Sequence, residues 1–285
     1  MAQQRFHFFK SFTALSVKLT LFTSIFTLAQ TPQILTAQGI PTLWEGKEYS
    51  PPSGIGTPSN TAGAGTRAPR QGCLVTGKPL TALLPSNNFG VTENTHPQFF
   101  VYMPAIALEE ESIPVEFLLE TQDGKDIYQT RFNSNGKDGI LAISLPNHES
   151  ISPLEVDGNY KWSVAVICDP DERSMDIAVE GWVRRVKLDS TFNHQLRQLS
   201  LSKQVELYAE AEIWHDALAS LAQLRLNNPD DSEIAAEWSK LLSAVGLNEF
   251  SQESIIPVSL TSTLELTSSS HQDQDDDSNH VTDSH

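Results

Sequence analysis

Between Cys73 and Lys187 the chain carries seven short segments that each have the composition of a β-strand. They are rich in β-branched and aromatic residues, and turn-forming residues separate them. The segments are residues 80–84, 98–103, 114–120, 126–132, 140–145, 160–168 and 175–186. Seven short strands within roughly 115 residues predict an antiparallel β-sandwich, here placed at residues 72–188.

The pair Asp123-Gly124 separates two of these predicted strands. Asp-Gly between alternating apolar residues favours a β-hairpin, because a two-residue type I′ turn needs positive φ and glycine supplies it without strain. We therefore expect residues 114–120 and 126–132 to be antiparallel neighbours.

The stretch LEVDGNYKWSVAVICD, residues 154–169, resembles the tyrosine corner of immunoglobulin-like and fibronectin-like sandwiches. There, a leucine and a turn precede a tyrosine whose hydroxyl bonds back to nearby backbone. The corresponding residues here are Leu154, Gly158, Tyr160 and Trp162. The resemblance implies an Ig-like or fibronectin-like sandwich, with Tyr160 and Trp162 on its buried face.

Only two cysteines occur, Cys73 and Cys168. In an oxidising compartment an even pair is a disulfide candidate, and this one would close a loop of nearly 100 residues. The alternative is two buried thiols. Neither cysteine belongs to a C-x-x-C or zinc-spaced set, so we expect no structural zinc.

Residues 1–37 have the features of a signal peptide. Arg5, Lys10 and Lys18 precede the apolar residues 19–29, and small residues suitable for cleavage end at Ala29 and Ala37. An uncleaved anchor is the alternative, but the apolar run is short for a bilayer and contains several hydroxyl side chains. We expect export to the periplasm or cell surface, and no membrane span after cleavage.

Two segments are predicted to be disordered. Residues 38–71 form a linker rich in proline, glycine, serine and threonine, and residues 249–285 form a polar tail with an acidic end.

The formal net charge of the chain is −17, which argues against a nucleic-acid partner because phosphate binding needs lysine and arginine.

Residues 189–248 carry helical periodicity. The order of apolar residues through residues 202–230, ending in Asn-Asn-Pro-Asp, resembles one helical hairpin of a tetratricopeptide repeat, or TPR. The hairpin could bind a partner or only pack against the sandwich. We take Tyr208, Trp214 and Trp238 as a possible docking surface.

The chain lacks the nucleophile-elbow, zinc-protease, dinucleotide and phosphate-loop motifs. We therefore expect no catalytic residues and no cofactor. The acidic residues Asp169, Asp171, Glu172 and Asp176 could bind Ca²⁺, although a solvated hairpin tip explains them as well.

Four motifs together resemble domain-of-unknown-function family 928, a family found in cyanobacteria. They are PLTALLPSNNFGVTENTHPQFFVYMP (79–104), GILAISLP (139–146), LEVDGNYKWSVAVICDPDERSMDIAVEGWVRRV (154–186) and LYAEAEIWHDALASLAQLRLNNPDD (207–231). The resemblance spans residues 73–247 and implies an exported cyanobacterial protein without implying an activity.

Two functional hypotheses follow. The first is a non-catalytic interaction or scaffold module whose partners are envelope or exported proteins. The second is a carbohydrate- or calcium-binding β-sandwich acting on envelope polysaccharide, which an exposed tryptophan on a sheet face would favour.

Overall fold

The computed structural model describes residues 73–107, 112–146 and 151–260. These residues belong to one compact unit, Gln38–His285. The predicted signal peptide and linker lie outside the described residues, as do residues 261–285 of the predicted tail. None of the helices within the described ranges is long and apolar enough to cross a membrane.

Eleven strands and four α-helices make up the described part of the chain. The strands are β1 Leu74–Thr76, β2 Thr81–Ala82, β3 Phe89–Thr92, β4 Gln98–Met103, β5 Ala105–Ala107, β6 Ile113–Thr121, β7 Asp126–Ser134, β8 Gly139–Ser144, β9 Asn159–Val166, β10 Ile177–Arg185 and β11 Ile255–Ser259. The helices are α1 Ser190–Gln198, α2 Leu201–Glu210, α3 Trp214–Asn227 and α4 Ser232–Ala244.

The strands form two sheets that face each other, and a short ribbon. One sheet has the order β3-β10-β9-β6-β7, the other β11-β8-β4-β2, and β1 pairs with β5. The ring of Phe99 in β4 lies 5.2 Å from Phe117 in β6 and 5.1 Å from Trp162 in β9, across the space between the sheets. The protein therefore has a β-sandwich-like fold with added helices, as its strand spacing predicts.

The sheets are not antiparallel throughout, so that part of the prediction is wrong. Strand β10 pairs in parallel with β3, and β11 pairs in parallel with β8. Both exceptions involve strands outside the seven that the sequence predicts as strands. Parallel neighbours are joined by long connections rather than tight turns, so no local turn motif marks them.

The hairpin between β6 and β7 is confirmed, but its turn is longer than predicted. The backbone nitrogen of Thr121 donates to the carbonyl of Lys125 at 2.8 Å, which leaves residues 122–124 as a three-residue loop. Within that loop φ is positive only at Gly124, where it is 81°. A three-residue loop with a left-handed glycine at its end is the next most common hairpin connection after the two-residue turn.

Helices α2, α3 and α4 share the core of the sandwich, whereas α1 packs in a smaller cluster with α2 and the start of α3. Helix α3 packs against β3 and β4, one strand from each sheet, and Trp214, Leu218 and Leu221 belong to the same buried cluster as the strand residues. The indole nitrogen of Trp214 donates to the carbonyl of Leu83 at 2.9 Å. The change from strands to helices near residue 188 is therefore not a boundary between separate cores.

Residues 249–260 are ordered, so the prediction of a disordered tail starting at residue 249 is wrong. Phe250 is buried against Tyr102, with ring centroids 4.8 Å apart, and β11 extends the four-stranded sheet. Ile255, Ile256 and Val258 pack against the core. Polar residues flank these few apolar residues in the sequence, so the low-complexity composition of the segment did not predict that they pack against the core.

Candidate functional site

A cleft of about 350 Å³ lies along one side of helix α3. Its lining comes from helices α2 and α3, from the loop between β3 and β4, and from the first residue of β4. The lining residues are Asn94, Gln98, Tyr208, Asp216, Ala219, Ser220, Gln223, Leu226 and Asn227. Most are uncharged polar side chains, and the volume is at the lower end of the range for ligand pockets.

The floor of the cleft is a hydrogen-bonded cluster around Asp216. Asp216 Oδ1 accepts from the Asn94 side-chain amide at 2.6 Å, and Oδ2 accepts from the backbone nitrogen of Glu93 at 3.1 Å. The Tyr208 hydroxyl donates to the Glu93 carboxylate. Asp216 is 3% exposed and Tyr208 is 8% exposed, whereas Asn94, Gln223 and Leu226 are exposed. The cleft thus has a buried acidic floor and a neutral polar rim.

Burial shifts the pKa values of Asp216 and Tyr208 at the cleft floor. Desolvation raises the pKa of Asp216 to about 7, although hydrogen bonds from Thr92, Glu93 and Asn94 act in the opposite direction. Burial, together with the acceptor Glu93, raises the pKa of the Tyr208 hydroxyl. Near neutral pH Tyr208 is therefore a hydrogen-bond donor, and Asp216 is divided between its neutral and charged forms.

His215 precedes Asp216 and anchors helix α3 to the sandwich. Its Nδ1 donates to the carbonyl of Gln98 at 3.2 Å, and its ring lies edge-on to Phe99 at 5.5 Å. Its Nε2 is buried and has no hydrogen-bond partner among the described residues. A Cβ atom at Gly90 would lie 2.5 Å from Nε2, so the close approach of helix and strand requires glycine. Burial lowers the pKa of His215 to about 4.

His215 and Asp216 make opposite contributions to the pH dependence of stability. His215 binds its proton less tightly when folded, so its contribution is complete above pH 6.5 and is lost as pH falls towards 4. Asp216 binds its proton more tightly when folded, so its contribution is complete below pH 3.8 and is lost as pH rises through 7. Between these limits the two effects largely cancel.

Two single variants should separate these contributions. Relative to the wild type, the free energy of unfolding of Asp216→Asn should rise by about 1.4 kcal/mol per pH unit between pH 4 and 7. That of His215→Gln should fall by a similar amount per unit between pH 4 and 6.5. Urea unfolding at a series of pH values measures both slopes. Difference curves that are flat across this range would show that neither pKa is shifted.

The three aromatic residues expected to form a docking surface are in the interior. Trp214 and Trp238 are fully buried, and Tyr208 is buried where it lines the cleft. Trp238 packs under Arg225, whose guanidinium carbon is 5.6 Å from the ring centroid. Trp214 and Trp238 join the shared core, so this expectation is corrected: these indoles stabilise the fold and offer no surface to a partner.

The disulfide between Cys73 and Cys168 is confirmed, with 5.0 Å between their Cα atoms. It joins the residue before β1 to the residues that follow β9.

The residues predicted to form a tyrosine corner are the remaining site residues named from the sequence. The Tyr160 hydroxyl accepts from the backbone nitrogen of Glu155 at 2.7 Å, and both Leu154 and Trp162 are buried. A Cβ atom at Gly158 would lie 2.6 Å from that hydroxyl, so glycine makes room for the tyrosine.

The acidic residues between β9 and β10 accept hydrogen bonds from nearby backbone nitrogens and from an arginine side chain. Asp176 accepts from the backbone nitrogen of Cys168 at 3.2 Å and from the Arg173 side chain at 2.6 Å. Asp169 accepts from the backbone nitrogen of Asp171 at 2.9 Å. In the described ranges no group of three or more His, Cys, Asp and Glu side chains is arranged to hold a metal ion.

Of the cleft residues, only Tyr208 was singled out from the sequence, and none of the others. Glu93 and Asn94 lie in a polar loop and Asp216 lies at the start of α3, with no motif connecting them. The hydrogen bonds that join them span 122 and 123 positions of sequence. The only local signal is an acidic residue in the first turn of a helix, which is common because it complements the helix dipole.

Comparison with known proteins gives a family and likenesses to solved structures. A family model described as Domain of Unknown Function (DUF928) matches residues 62–255. A crystal structure of Parabacteroides merdae beta-glucuronidase, with glycerol in its active site, resembles the chain at 12% identity and a TM-score of 0.20. That likeness covers 63% of this chain and 32% of the glucuronidase chain. No curated protein sequence matches the chain.

Proposed function

The chain belongs to the DUF928 family, and from that premise we propose that it is an exported, non-catalytic interaction module of the periplasm or cell surface. In this proposal the sandwich is a rigid scaffold and the cleft beside α3 is the docking site. Its partners are other exported or envelope proteins.

The cleft is the observation that carries the proposal. Its rim offers amide and hydroxyl groups from Asn94, Ser220, Gln223 and Asn227, which suit hydrogen bonding to the peptide groups of a partner. Helix α3 is fixed to the sandwich by His215 and by the Trp214 bond to Leu83. A rigid wall lowers the entropy cost of binding, because little ordering remains to occur when the partner arrives.

The state of the buried polar groups favours binding over catalysis. Both oxygens of Asp216 already accept hydrogen bonds, and the Tyr208 hydroxyl is held by Glu93. A general base or nucleophile needs a reactive atom within reach of a substrate proton or carbon. Here the acidic groups are used to fix the position of α2 and α3 against the loop after β3.

The finer fold assignments belong to the same proposal. The Tyr160–Glu155 hydrogen bond supports an Ig-like or fibronectin-like origin of the sandwich. The antiparallel pair α2 and α3, joined by three residues and followed by α4, supports a TPR-like hairpin. A hairpin of this kind presents α3 as a wall for an extended segment.

Filling the cleft should abolish partner capture. Ser220 lines the cleft on α3, so Ser220→Trp is expected to block it while leaving the core intact. Ser243 is exposed on α4 and does not line the cleft, so Ser243→Trp is the matched control. Crosslinking and pull-down from an envelope fraction should recover the same proteins with wild type and control. Those proteins should be lost with Ser220→Trp.

The result also tests the alternative of a carbohydrate- or calcium-binding sandwich. Trp182 favours that alternative because it is half-buried on the outer face of the five-stranded sheet, beside the ion pair of Lys161 and Glu180. If both tryptophan variants retain the same proteins, the cleft is not the docking site. If envelope polysaccharide is retained instead, with or without a calcium requirement, the outer sheet face becomes the site.

A further inference from the structure

The cleft has an acidic floor, and none of its lining residues is basic. Glu93 and Asp216 supply the negative charge, and the Glu93 backbone and side chain tie the loop after β3 to both helices. We propose that the cleft binds an extended polypeptide segment through an arginine or lysine side chain placed over Asp216. This inference rests on the proposed docking function and gives its partner a chemical class.

The shape of the cleft favours an extended chain over a small amine. Along α3 the lining residues recur every three or four positions from Asp216 to Asn227, and so form one stripe on the helix. At 1.5 Å per residue this stripe is about 16 Å long, the length of roughly five extended residues. The exposed amides of Gln223 and Asn227 lie along it, where they can pair with the peptide groups of a bound segment.

Asp216 retains capacity for a further donor. A carboxylate has about four acceptor positions. Asn94, Glu93 and Thr92 use three of them. A guanidinium or ammonium group is the donor that would contribute most to the binding free energy here, because a charge-assisted hydrogen bond is about twice as strong as a neutral one.

A bound cation also lowers the free-energy cost of ionising Asp216 in its buried position. The titratable groups that act on this carboxylate are Glu93 from the loop after β3 and Tyr208 from α2. Arg185 from β10 is nearby but donates to the Glu93 carbonyl. Burial and the Glu93 charge both raise the pKa of Asp216, so a bound cation should release a proton from it. Binding should strengthen with pH up to about 8.

The test uses the full chain and defined peptides. The probes are dye-labelled Gly-Ser-Arg-Ser-Gly and the same peptide with glutamine or glutamate at the centre, all capped so that no terminal charge remains. Fluorescence anisotropy at pH 8 should show the arginine peptide binding at least about tenfold more tightly than the glutamine peptide. The glutamate peptide should not bind. Affinity for the arginine peptide should fall as pH is lowered below 7 and as salt is added.

Variants locate the interaction. Asp216→Asn and Glu93→Gln should each reduce affinity for the arginine peptide about tenfold or more, and Ser243→Trp should not. Circular dichroism and thermal melting show whether each variant is folded, and Glu93→Gln provides the test if Asp216→Asn is not. Equal affinity for the glutamine and arginine peptides, or unchanged affinity in a folded Asp216→Asn, would overturn the inference. If no peptide binds while Ser220→Trp still blocks partner capture, the inference fails and the docking function stands.

Discussion

Replacing Trp214 with alanine should destabilise the whole sandwich by about 4 kcal/mol or more. Truncating a fully buried tryptophan typically costs about 3–5 kcal/mol, because apolar contacts are lost and a cavity remains. Here the change also leaves the buried carbonyl of Leu83 without its donor, which alone costs about 1–3 kcal/mol. Trp214 is in the same buried cluster as residues of both sheets, so the loss affects the entire core.

Urea unfolding of the full chain, with the disulfide intact, measures this effect. Trp182→Ala is the matched control, because Trp182 is half-buried on an outer sheet face and should cost less than about 2 kcal/mol. A single unfolding transition, followed both by far-ultraviolet circular dichroism and by tryptophan fluorescence, is expected for both variants. If Trp214→Ala instead melted the helices alone and left the strands folded at unchanged stability, the shared core would be refuted.

Removing the disulfide should have an effect of similar size. Cys73 and Cys168 are 95 positions apart, and the loop they close contains strands of both sheets. In the chain-entropy account, a crosslink of this span stabilises the folded state by roughly 4–5 kcal/mol, because the unfolded chain is less free. We expect the free energy of unfolding of the double variant Cys73→Ser, Cys168→Ser to fall by about that amount.

Reductant provides the control for this experiment. Dithiothreitol should bring the wild type to the stability of the double serine variant and should leave that variant unchanged. The half-buried position of both cysteines should let the reductant reach the bond without global unfolding. Equal stability of the oxidised and reduced wild type would mean that the short β1–β5 ribbon detaches at little cost.

Elements with local sequence signals are the ones that could be predicted from the sequence. Alternation placed Tyr160 and Trp162 on one buried face of β9, and turn residues separated the strands, because strand periodicity repeats every two residues. Asp189 and Asp231 cap α1 and α4 as short-range helix chemistry requires. The cysteine count left only one intramolecular pairing to consider, so the disulfide could be named as a candidate, with two buried thiols as the alternative.

Which surfaces remain exposed depends on contacts between elements that are far apart in the sequence. Helical periodicity shows that Trp214 and Trp238 lie on apolar faces, but whether such a face meets a partner or the protein's own core depends on elements far away in sequence. The pairing of β11 with β8 and the joining of Asn94 to Asp216 likewise span more than 100 positions. Contacts at that separation are set by how whole layers pack, and a single sequence carries no local pattern that records them.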